Sequence, residues 1–99
     1  MPLLESNRRE FRKVLFVALE GAVKAGQLSR SQLFQIRLAT FFRPTILDNL
    51  FDACCEQMAS EGIVFAAADG SINWDAIAKF IIAVLPVIVE AILKIIAVL

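Results

Sequence analysis

The sequence predicts an all-α protein: a three-helix N-terminal module followed by a long, hydrophobic, proline-kinked C-terminal helix. Three observations carry this. Apolar residues recur at three- and four-residue steps through most of the chain, as on one face of a helix. Helix start and stop signals fall between those runs, and strand signals are scarce. Finally, 15 of the 26 residues from Trp74 to Leu99 are Ile, Val, Leu or Phe. A 99-residue chain that is 59% hydrophobic and 20% charged is long enough for one small domain and too apolar to be disordered.

The first helix is expected from about Glu5 or Ser6 to Ala25, with Phe11, Val14, Leu15, Ala18, Leu19, Ala22 and Val23 on one face. Gly26 ends it, because glycine readily adopts the left-handed conformation that closes a helix. Ser29 and Gln32 match a capping box, in which each side chain satisfies the other residue's backbone N–H. They open a second helix reaching about Phe42, with apolar positions Leu33, Phe34, Ile36, Leu38, Phe41 and Phe42. Pro44 suits the first turn of a third helix, whose buried stripe is Leu47, Leu50, Phe51, Cys54 and Met58, and Gly62 closes it. Residues 1–62 thus form the helical module and residues 63–73 a connection, with a turn at Asp69-Gly70. Asn73 caps the last helix, residues 74–99, and Ile72 and Ile77 are spaced for a hydrophobic staple across its start.

At ~100° per residue, a straight terminal helix gathers Asp75, Lys79, Pro86, Glu90 and Lys94 within an arc of roughly 100°. Asp75 with Lys79 and Glu90 with Lys94 are also spaced for i,i+4 ion pairs. The result is a polar seam on a wide apolar cylinder. Such a helix is ~39 Å long, and helices of ~17 and ~27 Å cannot sheathe it on three sides. Part of it is therefore expected to remain for self-association, other subunits or lipid. Fifteen large apolar residues favour bilayer insertion by about 5–9 kcal/mol, against about 3 kcal/mol for Glu90 near the centre. Pro86 removes the hydrogen bond to the Ile82 carbonyl and is expected to kink the helix. Trp74 is placed to act as an interfacial anchor.

Net charge is zero, but unevenly distributed. Residues 1–43 carry eight Lys or Arg against three acids, whereas residues 44–75 carry six acids and no base. Arg8, Arg9, Arg12 and Lys13 form a basic cluster suited to phosphate or anionic lipid. Arg30 and Arg37, with Gln32 and Gln35, would project from the second helix of a helix-turn-helix whose turn holds Ala22, Gly26, Leu28 and Ser29. Gln27 adds a residue to the usual spacing there, and Gln32 stands where an apolar residue is expected. Nucleic acid therefore ranks behind protein and membrane partners.

Catalytic and metal chemistry find little support. Histidine is absent, and adjacent Cys54 and Cys55 have no second pair with which to bind zinc. Cys54 falls on an apolar stripe, and no basic neighbour activates either thiol. Aligning Gly70 with the glycine of a calcium loop puts Phe65, Ala67 and Ala76 where oxygen ligands belong, which excludes that site. No phosphate loop or nucleophile motif is present. The expectation is a non-enzyme with no cofactor and no metal.

The arrangement of a helical N-terminal module, an Asp-Gly-x-Ile-x-Trp joint (Asp69, Gly70, Ile72, Trp74) and a C-terminal amphipathic helix with a central proline resembles small phage-encoded virion or holin-like proteins. The resemblance covers residues 69–99. It implies either a structural role in a virion or permeabilisation of a membrane. Together the readings point to a helical assembly or membrane-associated protein, forming homo-oligomers or joining other subunits. It is expected to be made in the reducing cytosol, since no secretory signal precedes the first helix, and then to enter a membrane or a larger assembly. A DNA-binding regulator is the alternative.

Overall fold

The computed structural model describes residues 5–66 and 69–98. The expectations that touch residues 1–4, Ala67, Ala68 and Leu99 lie outside the described residues. Five α-helices follow in order: α1 (Glu5–Lys24), α2 (Arg30–Phe42), α3 (Thr45–Ser60), α4 (Trp74–Ala83) and α5 (Leu85–Ala97).

Local signals placed most of the boundaries. Gly26, at φ 78°, follows the end of α1, and Gly62, at φ 72°, follows the end of α3. The Ser29 hydroxyl accepts from Gln32 N–H at 3.0 Å, and the Gln32 side chain accepts from Ser29 N–H at 3.0 Å, completing the capping box of α2. Asn73 Oδ1 accepts from Ala76 N–H at 3.2 Å at the start of α4. Pro44 is the N-cap of α3 rather than its first helical residue. In the connection, Asp69 accepts from the Ser71 hydroxyl at 2.7 Å and from Ser71 N–H at 2.9 Å. The Ser71 hydroxyl, followed by its backbone N–H, lowers the Asp69 pKa. An isolated antiparallel bridge joins Ala66 to Ile72, and Asn73 N–H donates to the Phe65 carbonyl at 2.7 Å.

The single terminal helix expected over residues 74–99 is instead two helices, α4 and α5, bent by 83° at Val84. Pro86 is the local physical reason for the break, and burial of Ile88 and Ile92 the tertiary one. Pro86 has no N–H to continue the hydrogen-bond ladder of α4, but it is comfortable in the first turn of a new helix. Val84 closes α4 by donating to the Phe80 carbonyl at 3.1 Å. Its own carbonyl then accepts from Val87 at 3.0 Å and Ile88 at 3.1 Å to start α5.

The bend also answers the problem of covering a long apolar rod. Two short rods are easier to cover than one long one. α1 touches all four other helices, and α2, α3, α4 and α5 form a closed cycle of neighbours over its apolar face. The 83° turn brings α5 back against α2 and α1. One core results, with residues from every helix, including Phe11, Leu15 and Leu19 of α1, Ile36 of α2, Leu47 and Met58 of α3, Ile77 and Ile81 of α4, and Ile92 of α5. An aromatic chain ties three of them: Phe11 meets Phe51 edge-on at 5.4 Å, and Phe51 lies 6.0 Å from half-buried Trp74.

Candidate protein-docking surface

The bend separates the polar seam. Both expected ion pairs form, Lys79 to Asp75 at 3.1 Å and Lys94 to Glu90 at 3.3 Å, and all four side chains are well exposed. They now belong to helices of different direction, so Trp74, Lys79, Pro86, Glu90 and Lys94 no longer line one stripe. Trp74 packs against the core beside Phe51. Exposed Pro86 edges a hollow of about 520 Å³ with Gln27, Val89, Glu90 and Leu93. No single described helix is long and apolar enough to cross a membrane. α4 and α5 satisfy length and composition only as a bent pair.

The basic residues divide in the same way. Arg8 grips Asp48 with two parallel bonds, Nε to Oδ1 at 2.8 Å and Nη2 to Oδ2 at 2.7 Å. Arg12 donates to the buried Thr40 hydroxyl at 3.0 Å, and its guanidinium lies 4.9 Å from the centre of the Phe16 ring. Burial, and then the nearby Arg37 charge, lower the Arg12 pKa. Arg37 sits 4.8 Å from the same ring centre and donates to Glu20 at 2.7 Å. Lys13 pairs with Glu10 at 3.6 Å. Arg9 and Arg30 are exposed. The structure thus commits Arg8, Arg12 and Arg37 to contacts between helices, where the sequence offered them as phosphate or lipid ligands. Among the described residues, no group of three or more His, Cys, Asp or Glu side chains is arranged to hold a metal ion.

What the sequence reading missed lies on α2. Its apolar residues occupy two faces. Leu33 and Ile36, with Thr40, turn into the core. Phe34, Leu38, Phe41 and Phe42 turn to water, with 61%, 43%, 69% and 73% of their surfaces exposed. At ~100° per residue these four fall within an arc of roughly 100°, roughly opposite the buried face. Phe41 and Phe42 meet edge-on at 5.3 Å. The signal was present in the six apolar positions of α2: they span more of the circumference than one core-facing stripe can.

A second apolar feature lies at the bend. Leu50, Ala53 and Cys54 of α3, Phe80 of α4, Val84, and Val87, Ile88 and Ala91 of α5 line a cleft of about 380 Å³. Among the described residues, Gln57 and Glu61 are its polar lining residues. Val87, 67% exposed, stands at its edge.

No protein family, characterised protein or solved structure matches this chain.

Proposed function

We propose that this chain is a non-enzymatic helical assembly protein whose exposed apolar surface seats another protein subunit. The carrying observation is the stripe of Phe34, Leu38, Phe41 and Phe42 left in water by α2. Three phenylalanines exposed to this degree present roughly 400 Å² of contiguous apolar area, a patch of the size that marks interaction sites. The proposal rests on α2 rather than on one uninterrupted terminal rod, because the bend sends Ile77, Ile81 and Ile92 into the core.

Two observations rank this reading above its competitors. Membrane insertion of residues 74–98 as a straight span would require removing the 83° bend and pulling those isoleucines out of the core. DNA reading by α2 would present phenylalanines to the groove, with Arg37 held by Glu20 and Phe16. The resemblance of residues 69–99 to phage virion components extends the proposal to a virion as the larger assembly.

Sedimentation velocity of the full chain over a hundredfold range of concentration, with and without mild detergent, tests the reading. Association in plain buffer is expected. A strict monomer at every concentration that captures no subunit would overturn it.

A further inference from the structure

We infer that the partner is a second copy of this chain, docked head to tail: the α2 stripe of one copy enters the cleft at the bend of the next. The inference rests on the assembly reading above and adds the occupant and the geometry.

Charge selects the pairing. α2 contains Arg30 and Arg37 and no acid, and Arg43 follows it directly. Stripe-on-stripe pairing of two copies of α2 would bring no acid of α2 to Arg30 of either copy, Arg37 being already held by Glu20 at 2.7 Å. The cleft offers the opposite sign. Glu61 lines it. Exposed Glu56 follows roughly 60° around α3 from Ala53 at its outer edge. Lys94 near the α5 edge is neutralised by Glu90 at 3.3 Å. Arg30, beside the stripe, and Glu56 and Glu61, beside the cleft, thus lie on two different surfaces of one molecule.

Shape and area agree with this pairing. The stripe is a convex ridge of large side chains, while the cleft is a concave apolar surface of about 380 Å³. The two share no residue, so one copy can use both at once. Contact of this kind buries roughly 1,000 Å² in total, the lower bound for a specific interface. Association is therefore concentration-dependent. A heterologous contact also leaves a free stripe at one end and a free cleft at the other, so copies add into a ring or a filament.

A mixing experiment with two full-length variants tests this. Phe34→Gln with Phe42→Gln disrupts the stripe at both ends and leaves the cleft. Ala53→Arg blocks the cleft and leaves the stripe, with Val87→Arg as a second blocking variant should the first not fold by circular dichroism. All four positions are exposed. Sedimentation velocity is expected to show the wild type growing past a dimer, and each variant alone remaining monomeric with association at least ~10-fold weaker. An equimolar mixture of the two should form a dimer and nothing larger, because one intact stripe meets one intact cleft.

Dimerisation of the cleft-blocked variant alone would show stripe-on-stripe pairing and overturn the inference. So would a mixture that stays monomeric, or binding of wild-type monomer to phosphatidylserine vesicles without self-association. If the wild type associates but neither variant changes it, this inference falls while the assembly reading stands. If the wild type never associates and captures no subunit, both fall.

Discussion

Arg8 and Asp48, 40 positions apart, clasp the first turns of α1 and α3 with two parallel hydrogen bonds of 2.8 and 2.7 Å. The Arg8 hydrogen bond first, and then its charge, hold the Asp48 carboxyl below its ordinary pKa, against the opposing effect of burial. A carboxylate with a depressed folded pKa contributes its stability above its ordinary value of 3.8 and loses it as pH falls through the lower folded value. Asp48→Asn is therefore expected to lower stability at pH 7 by about 1–2 kcal/mol and to flatten the acid limb of a stability–pH curve. Urea melts from pH 7 to pH 2 would check it. An acid limb unchanged in the variant would remove Asp48 as the cause.

The thiols give the opposite limb. Burial, then the adjacent Cys55, pushes Cys54 up to about 11, and burial, then Asp52, pushes Cys55 up to about 11. Both are neutral where the unfolded thiols, near 9.0, ionise, so stability is expected to fall between pH 9.0 and about 11. At pH 8 the native protein should react with iodoacetamide on the order of 100-fold more slowly than the denatured chain. Rapid native labelling would show that the thiols are more open than their packing implies.

The docking of α5 rests on Ile92, which is fully buried. Ile92→Ala is expected to cost about 2–5 kcal/mol, as large-to-small changes in a core do. Chemical denaturation measures this. A cost under about 0.5 kcal/mol would mean that α5 is held elsewhere.

The bend has a local and a tertiary cause, and Pro86→Ala separates them. Burial of Ile88 and Ile92 is expected to keep the bend in place without the proline, with stability changed by about 1 kcal/mol or less. Spin labels at exposed Lys79 and Lys94 would read the distance across Val84. A longer distance in the variant would show that the proline alone imposes the turn.

Much of the local structure was legible in the sequence because its causes are local. A capping box at Ser29 and Gln32, a cap at Asn73, and left-handed glycines at 26 and 62 each act within a few residues. The apolar faces of α1 and α3 could be read for a related reason. Each carries one dominant stripe, and Phe11, Leu15, Leu19, Leu47 and Met58 all reach the core.

Burial on α2 and the path after Val84 could not be decided that way. Leu33 and Phe34 are adjacent and equally apolar, yet one is buried and the other faces water. Which side of a two-faced helix packs inward depends on the space that α1, α3 and α5 leave, and that is a property of the whole chain. Pro86 announced an interruption, but nothing in its neighbourhood gives 83° or a destination. The sequence by itself determined helix content, most helix ends and the segregation of charge. The tertiary structure alone decided that much of the oily terminus folds back into the core and that the exposed phenylalanine stripe belongs to α2, because burial is a competition among all helices for one limited interior.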